Sequence, residues 1–247
     1  MENEKVEIMQ IPFDKLTQKE LLQKHLYKRI EKEQRTFIVT ANPEIVMQTR
    51  IDHIYKESVQ SADYIIPDGA GIVVASKILG NPIEERVTGF DLMFRLLSYA
   101  DKHNLSCYFL GATEEVNESA VNHVISQYPG IVIAGRHNGY FTNDDEVAKH
   151  VAATKPDFVF AALGFPKQEK WIAAHQHIFE KGVFMGVGGV FDILAGQVSR
   201  APRIWIKLNL EWAYRLIKQP FRWKRILKAF EFMFRIVLGR NKNKAGS

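Results

Sequence analysis

Across its first 199 residues the chain alternates short apolar runs with amphipathic stretches, and this alternation leaves few folds open. The runs lie at residues 6–11, 36–41, 64–67, 106–111, 130–134, 157–163 and 182–187. Several are apolar at nearly every position, the pattern of strands buried on both faces. Between them, residues 17–32, 43–59, 70–79, 90–103, 114–127, 144–153 and 167–175 carry helical periodicity, with Thr113 and Asn143 placed to cap two of these helices. Strands alternating with helices predict an α/β fold, a Rossmann-like and mostly parallel sheet with helices on both faces.

The last 48 residues differ in kind. Residues 200–247 hold 13 Lys/Arg against two acids, Glu211 and Glu231, whereas residues 1–199 hold 20 Lys/Arg against 26 Asp/Glu. A core of net −6 therefore carries a tail of net +11. The tail reads as two amphipathic helices, 201–218 and 221–238, separated by Pro220, which cannot sit inside a continuous helix without kinking it. Its cations are interleaved with Trp205, Trp212, Tyr214, Phe221, Trp223, Phe230, Phe232 and Phe234. Such a surface suits an anionic, greasy partner, and a membrane headgroup layer is one. Single-stranded nucleic acid is the rival partner, held by phosphate contacts and stacking. The aromatics stand among apolar residues at helical spacing, which favours burial or lipid over nucleic acid. The expected organisation is thus a catalytic core at 1–199 and a membrane-associating helical appendage at 200–247.

The first five residues are acidic and precede no apolar h-region, so no signal peptide is expected. No apolar run approaches the ~20 residues of a spanning helix. A single cysteine, Cys107, fits a reducing compartment. These features predict a cytoplasmic protein held peripherally on the inner membrane face.

In a parallel sheet, ligands bind beyond the carboxyl ends of the strands. Those positions here are Asn42, Asp68-Gly69, Gly111-Ala112, Gly164-Phe165-Pro166 and Gly188-Gly189. Asp68, between a strand and a helix, can serve as a general base or as an ordinary cap. Gly164 to Gln168 opens a helix with Pro166 at its first position, where exposed amides suit phosphate or sugar oxygens; a plain turn before a solvated charged face is the alternative. Gly188 and Gly189, followed by Asp192, let backbone approach a diphosphate. The segment is not a G-x-G-x-x-G fingerprint, which argues against a nicotinamide cofactor. His175 and His177 lack the partners of a metal site and read as a solvated pair. There is no D-x-D, so a diphosphate handled here would be neutralised by arginine; Arg86, Arg200, Arg215, Arg222 and Arg225 are the candidates. No metal and no cofactor are expected.

Taken together, Thr40-Ala41-Asn42-Pro43-Glu44, Pro67-Asp68-Gly69-Ala70-Gly71, Glu85-Arg86-Val87-Thr88-Gly89, Gly164-Phe165-Pro166-Lys167-Gln168-Glu169, Gly186-Val187-Gly188-Gly189, Arg200-Ala201-Pro202 and Leu208-Asn209-Leu210-Glu211-Trp212 resemble the WecG/TagA/CpsF glycosyltransferase family. The likeness is greatest to its wall-teichoic-acid branch. It implies an inverting transferase that moves N-acetylmannosamine from UDP-N-acetylmannosamine to the 4-hydroxyl of N-acetylglucosamine on undecaprenyl diphosphate, without a metal. Relatives with N-acetylmannosaminuronic acid or glucose donors set the alternative. The resemblance implies Asp68 as base, Arg86 and Gln168 in the catalytic pocket, and Thr40 and Asn42 lining it. It also implies that Arg215, Arg222 and Arg225 are brought over the pocket by the membrane-attached tail. The implied partners are a UDP-sugar donor, a polyprenyl-diphosphate sugar acceptor and an anionic membrane surface, with no nucleic acid. Relatives tend to self-associate, so a homo-oligomer is within what the likeness implies.

Overall fold

The computed structural model describes residues 3–207, 211–218 and 223–245. The chain opens with an antiparallel hairpin, β1 (Lys5–Ile8) and β2 (Ile11–Asp14). A helix then begins as α1 (Gln18–Glu20), passes through π turns at Leu21–Leu26 and ends as α2 (Tyr27–Glu31). The alternating core follows: β3 (Thr36–Ala41), α3 (Pro43–Thr49), α4 (His53–Gln60), β4 (Tyr64–Pro67), α5 (Ala70–Ile78), α6 (Gly89–His103), β5 (Ser106–Gly111) and α7 (Glu114–Gln127). It continues through β6 (Val132–His137), α8 (Asp144–Ala153), β7 (Phe158–Ala162), α9 (Lys167–His175), β8 (Val183–Gly186) and α10 (Val190–Leu194). The tail supplies α11 (Arg203–Lys207), α12 (Glu211–Lys218) and α13 (Trp223–Ala245).

Strands β3 to β8 form one parallel sheet in the order β4-β3-β8-β7-β5-β6. Both faces are buried, and successive side chains serve opposite cores, as a two-residue repeat requires. On β3, Phe37, Val39 and Ala41 enter one core and Ile38 the other. On β8, Phe184 enters the first, Val183 and Met185 the second. The first core is closed by the hairpin, α3, α4, α5, α8 and α9; the second by the first helix, α6, α7 and α10. Neighbouring strands β3 and β8 thus send their following helices, α3 and α10, to opposite faces. That divergence opens a crevice at their carboxyl ends.

The structure corrects several expected boundaries. Residues 6–11 are not one strand but parts of two, reversed at Met9 and Gln10, whose φ angles are 51° and 68°. The helix expected over 43–59 is two, because Asp52 caps a second start with Oδ1 2.9 Å from Tyr55 N. The strand expected at 130–134 lies at Val132–His137, and α10 was not expected at all. Thr113 and Asn143 do cap α7 and α8, at 3.3 and 3.2 Å. His175 is buried rather than solvated, with Nδ1 2.8 Å from Trp171 O and Nε2 3.0 Å from Asp145.

The tail does more than present charge. Helix α13 lies across α3 and α5, and its Phe232 and Ile236, 0% and 4% exposed, belong to the first core. On its other side Trp223, Leu227, Phe230, Phe234 and Leu238 are exposed at spacings of three and four. No helix among the described residues is long and apolar enough to cross a membrane.

Candidate active site

The pairing of β3 with β4 puts Ala41 opposite Pro67, so the next residue of each strand, Asn42 and Asp68, emerge side by side. Asp68 N donates to Ala41 O at 2.9 Å and fixes the turn. The two loops pack closely enough that a Cβ on Gly71 would lie 2.8 Å from Pro43 Cγ. Asn42 caps α3, its Oδ1 3.1 Å from Ile45 N. The cap position of α5 is Gly69, without a side-chain cap bond, so Asp68 is not that cap.

Three helices among the described residues that start at this sheet edge lack side-chain caps: α5 after Gly69, α9 after Pro166 and α10 after Gly189. Asn42 and Thr113 cap their helices at the same edge, and Thr17, Asp52, Thr88 and Asn143 cap theirs elsewhere. Backbone carbonyls already take some of these first-turn amides, Ile72 N bonding Gly69 O, Gln168 N Gly164 O and Val190 N Val187 O, and a helix start without a side-chain cap is a place where an anion or a sugar can be met. Pro166 itself sits one position earlier than expected, at the cap, and its bond from Phe165 is cis.

Gln168 is the side chain that joins β7 to β8. Its Oε1 accepts from Gly188 N at 3.1 Å, and a Cβ on Gly186 would lie 2.4 Å from its Nε2. Only glycine at 186 leaves room for this amide. Gly164 and Gly188 have positive φ, 75° and 52°, and nothing stands within 4 Å of where their Cβ atoms would be. Together they leave an open cradle over adjacent strands. Asp192, on α10, lies beside it, its Oδ2 3.2 Å from where a Gly189 Cβ would sit. Gly111 is one strand further along and is pressed against the Ala162 backbone, which accounts for its lack of a side chain.

Thr40 faces the segment before α6, where a Cβ on Gly89 would lie 2.7 Å from its Oγ1. Arg86 lies in that segment, half-buried, its Nη2 3.1 Å from Glu211 Oε2 of α12. Arg222 lies outside the described residues, as do the side chains of Arg215 and Arg225. The structure thus brings together Thr40, Asn42, Asp68, Gly164, Gln168, Gly188, Gly189 and Asp192 along β4-β3-β8-β7. Among the described residues, no cluster of three or more His, Cys, Asp or Glu is arranged to hold a metal ion. A cavity of about 650 Å³ between α4 and α9 touches this edge only through Gly139, Leu163 and Lys167. Its remaining wall is mostly helix side with Phe141 of the loop before α8, and none of the candidate residues lines it.

Glu169 was legible only as part of a solvated helix face, yet it is 3% exposed. Its Oε1 accepts from Gln168 Nε2 at 2.7 Å and its Oε2 from the buried Tyr55 hydroxyl at 3.2 Å. Glu169 thereby pins the Gln168 amide from behind. Burial raises its pKa above the carboxylate value of 4.5, against the lowering effect of those hydrogen bonds. A raised folded-state value means that its stabilising contribution is full below pH 4.5 and is lost as pH rises through the folded value. Glu169→Gln should therefore match wild type in thermal melts at pH 4.5 and be the more stable of the two at pH 8. Parallel melting curves at the two pH values check this.

With this geometry in place, the strand ends of the parallel α/β sheet gather a carboxylate and open glycine turns at the edge where ligands of such folds bind. The model of the WecG/TagA/CpsF glycosyl transferase family matches residues 6–246, and the chain belongs to that family. It is 40% identical over 245 residues to a protein of Staphylococcus aureus (strain MRSA252), covering 97% of this chain and 95% of the relative. It is 44% identical over 191 residues to one from Bacillus spizizenii, covering 77% and 74%. A Bacillus subtilis (strain 168) relative is 42% identical over 207 residues, covering 84% and 80%. All three relatives are named N-acetylglucosaminyldiphosphoundecaprenol N-acetyl-beta-D-mannosaminyltransferase.

Proposed function

We propose that this chain transfers N-acetylmannosamine from UDP-N-acetylmannosamine to the 4-hydroxyl of N-acetylglucosamine on undecaprenyl diphosphate, with inversion and without a metal. The observation that carries the reading is the placement of Asp68 at the β4 end, beside Asn42 and across β3 from the open Gly188 turn. The relatives' names supply the transferred N-acetylmannosamine and the N-acetylglucosaminyl-diphosphoundecaprenol acceptor.

In this reading the donor diphosphate lies over the glycine turns of β7 and β8, against the uncapped start of α9. Gln168, held by Glu169 and Gly188, shapes that wall. Asp68 accepts the proton of the acceptor hydroxyl as its oxygen bonds to the anomeric carbon, and UDP leaves with the electron pair of the broken bond. One displacement inverts the configuration. Charge grows on the diphosphate, so amides and arginines aimed there act more strongly in the transition state than before it.

In this reading the tail holds the enzyme against a membrane, on its cytoplasmic face. The exposed Trp223-Leu227-Phe230-Phe234 stripe of α13 supports lipid contact, because soluble surfaces seldom present so continuous an apolar row. Each Lys or Arg near an anionic surface adds ~1 kcal/mol. UDP release should be measured with a lipid-diphosphate N-acetylglucosamine acceptor in EDTA, across N-acetylmannosamine, N-acetylmannosaminuronic acid and glucose donors. Acceptor-dependent turnover with N-acetylmannosamine is expected. Turnover with another donor alone would reassign the sugar, and loss in EDTA would overturn the metal-free reading.

A further inference from the structure

Ion pairs join the tail to the core on either side of the α6 start, one ending on Arg86 in the segment between α5 and α6 and one on Asp91 in the first turn of α6. Arg86 Nη2 lies 3.1 Å from Glu211 Oε2, with the two side chains only 16% and 14% exposed. Arg200 Nη2 lies 2.8 Å from Asp91 Oδ1, and its guanidinium sits 4.0 Å from the centroid of the Phe90 ring. Asp91 is itself held by the Thr88 hydroxyl at 2.7 Å.

The same segment abuts the site. Val87 N donates to Pro67 O at 3.0 Å, and Pro67 is the residue before Asp68. Gly89 leaves space filled by Thr40 Oγ1, as the close approach already described requires. The arginine that meets the tail and the candidate base are therefore linked along a bonded path through two residues, Val87 and Pro67. Charge supports the same conclusion. Glu211 is one of two acids among 48 residues that carry 13 cations. A carboxylate there opposes binding to an anionic surface, and its place against a half-buried arginine accounts for its presence.

We propose that Glu211 is a positioning residue that latches the tail to Arg86. With Arg200–Asp91 it forms a two-point clamp on either side of the α6 start, which braces the Asp68 turn and Thr40. The docking stands on geometry alone, whereas its effect on turnover rests on the transferase reading above.

The test uses the full chain as wild type, Arg86→Glu, Glu211→Arg and the double reversal, with Glu211→Gln as a milder variant should Arg86→Glu fail to fold. Two readouts are taken, hydrogen exchange over Glu211–Lys218 and acceptor-dependent UDP release. Each single reversal should speed exchange about tenfold and lower transfer about tenfold, the scale of losing a close ion pair at an interface. The double reversal should restore both to within about threefold, as expected for residues coupled to each other. Unchanged exchange in the single variants would overturn the latch. Exchange restored without transfer would overturn the positional role of Arg86. A wild type without transfer would sink the proposed activity alone, and the exchange comparison would still decide the latch.

Discussion

Replacing Asp68 with asparagine is expected to lower acceptor-dependent UDP release roughly 10²–10⁴-fold, the range spanned by general base catalysis. Asparagine keeps the shape of the side chain and removes its basicity. The turn is fixed by a backbone bond, Asp68 N to Ala41 O, which the substitution leaves in place. Gly69, not Asp68, occupies the cap of α5, so no helix start is lost. The loss should therefore appear in kcat, with the KM for the donor little changed, because a base acts in the transition state rather than in ground-state binding. The melting temperature should stay within a few degrees of wild type. Equal turnover in the two proteins would remove Asp68 from the mechanism while leaving the transferase class intact. A fall in the melting temperature matching the fall in rate would make the residue structural.

The sheet was legible because its strands are buried on both faces. Residues 36–41, 64–67 and 106–111 are apolar almost throughout, and the structure places β3, β4 and β5 at those bounds. The edge strand β6 was harder. Its Arg136 and His137 interrupt the apolar run, so the run itself ended early. The hairpin escaped because Met9 and Gln10 adopt left-handed backbone without glycine or asparagine to announce it. The break between α3 and α4 escaped because Asp52 makes it without proline or glycine.

The site shows the same division. Asn42, Asp68, Gly164, Gly188 and Gly189 could be found from strand ends alone, since the fold class dictates where ligands sit. Glu169 could not. A carboxylate beside two lysines in a helical stretch reads as solvated, and only the packing of α4 against α9 brings Tyr55 to it. Arg86 and Glu211 are separated by 125 residues, and nothing in either segment names the other. Pairings of this kind belong to tertiary structure and carry no local signal.

Removal of the chain after Ser199 is expected to abolish transfer even on a soluble, short-chain acceptor, and to weaken the core without unfolding it. The sheet, the second core and all of the first core except the part supplied by α13 lie within residues 1–199, which is why a folded product is expected. The cut nevertheless takes Phe232 and Ile236 out of the first core and bares the α3 and α5 surfaces that α13 covers. Phe232→Ala alone should cost about 3–5 kcal/mol where the void cannot collapse. The truncated chain, with the whole α13 seat open to water, should melt lower still. The two variants separate the roles of the tail. Phe232→Ala keeps every cation and the Arg86–Glu211 and Arg200–Asp91 pairs, so at a temperature where it is folded its transfer should remain within about a hundredfold of wild type, the upper end for a substitution removed from the chemistry. The truncation removes Glu211 and Arg200 together, releases the brace on the Asp68 turn, and deletes the arginines available to the departing diphosphate. Full activity of the truncated core on the soluble acceptor would leave the tail with a membrane role alone and would place every group the reaction needs on residues 1–199.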